Sequence, residues 1–355
     1  MIFWFITILG LVAAHLAPVT AQAPSRVPWQ DVLSQDPAWY ESPQARAIAD
    51  GVLRHQRASG GWPKDVDMTT PPPASPPDRP DATIDNGATT TQIRFLARIV
   101  TVEAGMVEAG FSRPEGAGTG RPESAVTGRL KPASTTHERY ASATSRGIDY
   151  LLDAQYANGG WPQFFPLRSD YSRHITFNDN AMVNVVTLLD DVARARTPFG
   201  FVDERRRSRA ADALKKSIAL ILKAQVVVDG TLTVWCAQHD EVTLEPRGAR
   251  AYEHPSLSGA ETVGIVKFLM RQPRTPEIVR SIDAAVAWLQ RVRLPDGRWA
   301  RFYEIHTNRP IFSGRDGIVR YSLSEIEEER RDNYAWYGTW GKTLVDSEYA
   351  RWKAG

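Results

Sequence analysis

Apolar residues spaced three and four apart mark helical runs at residues 45–57, 145–156, 210–225 and 276–292. Each run has an apolar successor. These are residues 89–100 (TTTQIRFLARIV), 182–193 (MVNVVTLLDDVA), about 258–270 and about 332–352. A polar turn separates the members of each pair. Residues 56–63 read QRASGGWP and residues 155–162 read QYANGGWP. In two weaker copies, Asp229-Gly230 turns toward Trp235 and Pro295-Asp296-Gly297 turns toward Trp299. The period of roughly 70 to 100 residues is too long for a tetratricopeptide-type solenoid. Four helical hairpins with a polar turn at one end predict an all-α dominated fold. The expected form is an α/α toroid, one ring of helices inside another, with short β and loop insertions.

The turns and the starts of the second helices would then share one rim. Thr83-Ile84-Asp85-Asn86-Gly87-Ala88 precedes one such helix and Thr176-Phe177-Asn178-Asp179-Asn180-Ala181 the next. Thr, Asp and Asn are N-cap residues, so Asp85 with Asn86, and Asn178 with Asp179 and Asn180, are expected to cap these helices. Lys64, Asp65 and Asp67 follow the first turn. Carboxylate and amide oxygens gathered on one rim are hard ligands that suit calcium; each Asp alone is a plain cap. Arg247, Arg250, Arg301, Arg315 and Arg320 lie in loops rich in aromatics and glycine. Arginine grips carboxylates bidentately, although Glu253, Glu304, Asp316 and Glu325 are local partners for any one of them. Together the two sets describe a site for a polyanion bearing carboxylates. Trp62, Trp161, Trp235 and Trp299 fit either packing or stacking on sugar faces.

Composition narrows the field. At 42% hydrophobic and 24% charged, the chain of 355 residues is ordinary for a globular protein, not disordered, collagen-like or coiled-coil. A lone cysteine, Cys236, excludes an internal disulfide and multi-thiolate zinc, and reads as packing. A net charge of +2 gives no reason to expect nucleic acid. Residues 1–23 read as a signal peptide: the apolar core is short for a membrane span, and Ala21-Gln22-Ala23 fits a cleavage site, although no Lys or Arg precedes the core. A secreted or periplasmic protein follows, without stable membrane association after cleavage. Residues 69–80 are proline-rich and extended, and residues 111–136 read as a surface insertion. Residues 24–355 are therefore expected to form one domain with insertions; a monomer is expected.

Several segments, taken in order, resemble the family 10 pectate lyases. They are GGWPKDVD (60–67), TIDNGATTTQIRFLA (83–97), NGGWPQFFP (158–166), HITFNDNAMVNV (174–185), WCAQHDEVTLEPRGARAYEHPSLSGAE (235–261) and residues 299–341. The resemblance spans about residues 39–353. It implies an (α/α)3 toroid that cleaves polygalacturonate (pectate) by calcium-assisted β-elimination. It also implies roles for residues. Asp85 is the catalytic-site aspartate, Asp179 binds calcium with Asp85, and Arg315 is the catalytic base. Lys64, Asn86, Arg250, Arg301 and Arg320 contact substrate, Arg320 being also the alternative base. The chain departs from the family pattern in the insertion at 111–136, expected to alter access to the cleft, and in Gly248, where a bulky residue is expected. Three other readings remain at this point. One is a two-carboxylate glycoside hydrolase using Asp85 and Asp179. Another is a non-catalytic polyuronate-binding protein. The third is a triterpene cyclase, suggested by the Gln-x-x-x-Gly-x-Trp motif, although Asp190-Asp191 reads as a solvated helix face rather than a proton donor.

Overall fold

A computed structural model describes residues 27–72, 80–111 and 133–355. Seven longer helices form the frame: α1 (Pro43–His55), α2 (Thr90–Phe111), α3 (Ala133–Asp153), α4 (Ala181–Ala193), α5 (Glu204–Ala224), α6 (Glu261–Met270) and α7 (Pro276–Arg291). Helices α1, α3, α5 and α7 touch in succession as an outer row, and α2, α4 and α6 as an inner row. The architecture is an α/α toroid, as the repeat predicted. Among the described residues no helix is long and apolar enough to cross a membrane. The signal peptide lies outside the described residues, as does most of 69–80.

The hairpins differ from the expected set in one respect. The closest packing joins each inner helix to the outer helix that follows it: α2 with α3, α4 with α5 and α6 with α7. Three tight pairs result, with α1 and the C-terminal helix at the ends, where the pattern had suggested four. The last helix also starts later than residue 332. Residues 333–341 include the strand Tyr337–Gly338, paired with Trp299–Ala300, and helical structure resumes at residue 342. Buried Trp336 holds this stretch in a second apolar cluster with Tyr252, Phe302 and Phe312, and this overrides its helical spacing.

Each Gly-Trp turn is built alike. Trp62, Trp161, Trp235 and Trp299 are all fully buried. Each indole N–H donates to a carbonyl in the last turn or so of the preceding outer helix: Val52, Leu151, Ile221 and Leu289, at 2.7–2.8 Å. A glutamine ending the outer helix ties it to the next. Gln56 donates to Ala143 of α3, Gln155 to Ala213 of α5 and Gln225 to Ser281 of α7. The Gln-Trp motif is thus a clamp between outer helices, and none of these four indoles is available to stack on a sugar. Gly159 is needed twice over: its φ is +103°, and a Cβ there would come within 2.5 Å of the Lys216 backbone.

One further expectation lies mostly outside the described residues, and another changes. Residues 111–136 follow the C-terminus of α2 and precede α3. Phe111 and residues 133–136 are helical, while 112–132 lie outside the described residues. Since α2 is 22 residues long, about 33 Å, it ends at the far end from the rim; the insertion and its expected effect on access to the cleft lie outside the described residues. Asp190 and Asp191 are not a solvated face. Asp190 is fully buried, and the pair is held by Arg94, Arg194, Arg196 and Arg271. Gly159→Ala is expected to cost at least about 2 kcal/mol by urea denaturation. Gly230→Ala, also at positive φ but in open space, should cost about 1 kcal/mol. Equal costs would refute the role of the close backbone contact.

Candidate active site

The segments entering the inner helices pair with the tryptophan turns. Thr83 N–H donates to Trp62 O at 3.0 Å, Thr176 to Trp161 at 3.2 Å and Ser258 to Trp235 at 2.8 Å. Each turn is also held by the next repeat: Ile84 N–H bonds Gln163 O at 3.0 Å, and Phe177 N–H bonds Ala237 O at 2.8 Å. The 3-10 turns Asp85–Gly87 and Asn178–Asn180 consequently pack together at the rim.

The two turns superimpose in conformation with their acid and amide exchanged. Asn86 and Asp179 both have φ 50° and ψ 32°, a left-handed setting that Asn and Asp tolerate best. Their preceding residues, Asp85 and Asn178, are buried, whereas Asn86 and Asp179 are exposed. The two acids therefore occupy equivalent turns but not equivalent positions. They do not serve as the caps that the sequence suggested. Asn180 is the N-cap of α4 but is left-handed, with no side-chain capping bond. Asp85 accepts from Lys64 and Asp179 from Arg301 instead.

Asp85 Oδ2 accepts from Lys64 Nζ at 2.7 Å, while its buried Oδ1 has no hydrogen-bond partner. Burial pulls the Lys64 pKa down, but the Asp85 bond and charge outweigh it and leave the ammonium above its usual value. Asn86 donates to Asp65 Oδ1 at 3.2 Å. Arg301, 8% exposed, is the hub on the other side. Its Nη2 donates to Glu261 at 2.6 Å, Asp179 at 2.8 Å and Asn178 at 3.3 Å. Burial disfavours its cation, yet Glu261 and Asp179 more than offset this and raise its pKa. Its guanidinium lies 5.2 Å from the Tyr334 ring centre. Tyr334 OH in turn donates to buried Glu253 at 2.8 Å.

Glu253 also holds Arg250 through two bonds, at 2.8 and 2.5 Å, which raise the Arg250 pKa. Gly248 lets this turn close, since a Cβ there would meet the Glu253 carbonyl at 2.9 Å. Arg315 is 64% exposed and paired with Glu329 at 3.0 and 3.1 Å. Glu329 raises its pKa, the opposite of what a base requires. Arg320 is held by Asp316 at 3.0 and 2.7 Å, within its own hairpin. Arg250 and Arg320 thus have the local partners considered from sequence. Arg301 and Arg315 have distant ones, Glu261 and Glu329. Sequence reasoning missed Glu261 and Tyr334. Glu261 opens the third inner helix and was findable from the repeat; Tyr334 left no signal.

His174, Asp240 and Glu241 form the one described group of three metal-type ligands, their ligand atoms within 4.8 Å. Arg247 holds Asp240 at 2.9 Å and Arg173 holds Glu241 at 2.6 Å. Beside them, His239 is fully buried: Cys236 N–H donates to its Nε2, so Nδ1 carries the proton and donates to Leu244 O at 2.8 Å. Cys236 is buried and packs.

An α/α toroid with carboxylates and arginines converging on one rim is suited to an acidic carbohydrate. The family described as pectic acid lyase matches residues 131–298 and 295–345. A family 10 polysaccharide lyase from Cellvibrio cellulosa is 34% identical with a TM-score of 0.71, covering 89% of this chain and 94% of its own. A second structure, an aspartate-to-alanine mutant of the Cellvibrio enzyme in complex with trigalacturonic acid, is 34% identical with a TM-score of 0.72, covering 89% and 95%. No curated protein matches. The chain belongs to the pectic acid lyase family: it is a polysaccharide lyase that acts on pectate.

Burial pushes the His239 pKa from 6.5 down to about 4. The unfolded chain therefore takes up the proton first. Stability from this group is complete above pH 6.5 and declines as pH falls toward 4, by roughly 3 kcal/mol. Urea midpoints across this range should fall less steeply for His239→Gln than for the parent; identical slopes would refute the assignment.

Proposed function

We propose that the rim cleaves α-1,4-linked polygalacturonate by calcium-assisted β-elimination, leaving a 4,5-unsaturated sugar at the new end. The observation that carries this reading is the pair of abutting turns holding Asp85 and Asp179, in a chain of this family. Both residues offer hard oxygens, and the buried, unpartnered Asp85 Oδ1 is a free ligand position. Asp85 and Asp179 would hold Ca²⁺. When bound, it would neutralise a uronate carboxylate and make the adjacent C5–H more acidic.

The chain's own residues do the rest. Arg301 and Arg250 are cations fixed by buried acids, so they bind carboxylates and do not remove protons. Lys64 shares its ammonium between Asp85 and an incoming carboxylate. Arg315 is the proposed base: it takes the C5 proton, the C–H electrons form the C4–C5 double bond, and the C4–O bond breaks with its electron pair leaving on the oxygen, which takes a proton from solvent. Its partner Glu329 is half exposed, so the pair is weak and can open when substrate arrives. Paired or free, the guanidinium is ordinarily protonated, so the base role requires that bound Ca²⁺ and neighbouring arginines would disfavour its cation, and turnover should rise toward alkaline pH. Arg320 is bidentate to Asp316 and also bonds the Ile318 carbonyl, and is kept as a substrate contact. The hydrolase alternative would need no calcium and form no double bond. A polymeric pectic substrate is consistent with export through residues 1–23 and action as a secreted or periplasmic monomer.

Purified protein with polygalacturonate and Ca²⁺ at alkaline pH should give rising ultraviolet absorbance, abolished by a chelator. Reducing ends without absorbance would establish the hydrolase instead. Arg315→Ala should lose at least about 100-fold in kcat with KM within about threefold. Matched losses in kcat and binding would make Arg315 a carboxylate clamp.

A further inference from the structure

Near Lys64 the rim carries an aromatic side chain that the chemistry above does not use. Tyr171 opens the short 3-10 turn Tyr171–Arg173. Backbone contacts fix its place. Pro63 bridges Ala82, Thr83 bridges Phe164, and Gln163 N–H donates to Ser172 O at 2.8 Å. Lys64, the Asp85 turn and Tyr171 thus adjoin one ladder of paired backbone. The turn itself is tied down three times. Asp170 caps it by accepting from Ser172 N–H at 2.9 Å, Tyr171 O accepts from His174 N–H at 3.0 Å, and Tyr156 OH donates to Arg173 O at 2.6 Å. Ser172 is buried, whereas Tyr171 is 37% exposed.

Among the described residues the Tyr171 hydroxyl has no hydrogen-bond partner. The charges of two ion pairs act on it, Lys64 with Asp85 and Arg250 with Glu253. Partial burial holds the phenol above its usual value; Glu253 and Asp85 add to this, while Arg250 and Lys64 oppose it. Tyr171 is therefore an uncharged O–H donor through the alkaline range below about pH 10.

What such a donor adds follows from its neighbour. A lysine ammonium is a point charge on a flexible stem, so it attracts a carboxylate without orienting it. The Lys64 ammonium is in addition 2.7 Å from Asp85. A second donor, aimed by a rigid turn, can take the other carboxylate oxygen and set the angle of the sugar. Being uncharged, it does so without competing for Asp85 as another cation would.

We propose that Tyr171 is a further substrate-binding residue, whose hydroxyl donates to the carboxylate of the uronate held by Lys64. The proposal rests on the lyase reading of the rim and deepens it: this unit is gripped by an ammonium that attracts and a phenol that orients.

Tyr171→Phe removes the donor and keeps the ring. On polygalacturonate with Ca²⁺ it should raise KM about tenfold and leave kcat within about twofold, since a bond to a charged acceptor is lost. Its thermal midpoint should match the parent's, because the hydroxyl has no partner among the described residues. The KM penalty of Lys64→Met should be at least about threefold smaller in Tyr171→Phe than in the parent, because residues sharing one carboxylate do not act independently. Equal penalties would overturn the shared grip; should Lys64→Met not fold, Tyr171→Phe alone decides. A KM within twofold of the parent for Tyr171→Phe would overturn the proposal, even where Tyr171→Ala is impaired through loss of the ring. A fall in kcat with KM unchanged would also overturn it, and would make Tyr171 a proton donor to the leaving oxygen. If the parent forms no unsaturated product, the lyase reading itself fails. Calorimetry with trigalacturonic acid then decides Tyr171 separately: about tenfold weaker binding to Tyr171→Phe supports the contact, and equal or unmeasurable binding to both proteins overturns it.

Discussion

A buried indole N–H must find an acceptor, and in this fold the carbonyls that supply it lie at the ends of the outer helices. Trp62, Trp161, Trp235 and Trp299 each meet this demand by folding the turn back over the helix just completed. The turn's direction is then fixed, and with it the segment that pairs with the tryptophan backbone and enters the inner helix. Gln56, Gln155 and Gln225 add the lateral link by reaching the next outer helix. Because Ile84 hangs on Gln163 and Phe177 on Ala237, each turn is placed by the repeat that follows it. The two acid-bearing turns can therefore abut without any direct covalent or sheet connection between them.

Lys64, Arg301 and Arg250 are each paired before substrate arrives, three cations against four carboxylates. Lys64 covers Asp85, Arg301 covers Asp179 and Glu261, and Glu253 covers Arg250. A buried ion pair broken by removing one partner is strongly destabilising, whereas exchanging one carboxylate for another is not. The site therefore suits a ligand rich in carboxylates, which can exchange into these pairs while the cations stay in place. Tyr334 links the two arginine clusters, its ring against Arg301 and its hydroxyl on Glu253.

The cluster around Asp190 shows what distinguishes a structural set of charges from a functional one. Arg194 and Arg196 satisfy both oxygens of Asp190, and Arg271 adds a third contact. At the rim, Asp85 Oδ1 and Gln92 Oε1 are left without partners. They are two of ten such buried side-chain atoms among the described residues, and both lie beside the turns that carry Asp85 and Asn86.

The sequence by itself determined the toroid and the rim, because both are local signals repeated along the chain. Three-four apolar spacing makes amphipathic helices, and Gly-Gly-Trp makes turns that bury an indole. It also placed Asp85, Asp179, Lys64, Asn86, Arg250 and Arg301 on one face, since equivalent turns of a repeat must point the same way. The tertiary structure decided the partnerships. Arg301 bonds Glu261, 40 residues away, and Asp179, 122 away, and no local preference encodes either choice. The exchange of acid and amide between the turns at Asp85 and Asp179 is visible in the letters. Its meaning, one carboxylate buried and the other exposed, follows only from the shared left-handed geometry. The pairing of inner helices with the outer helices that follow them, and the late start of the last helix, were likewise set by packing. Burial of Trp336 among aromatics from distant loops outweighs the helical spacing around it, because apolar area removed from water exceeds a weak local propensity.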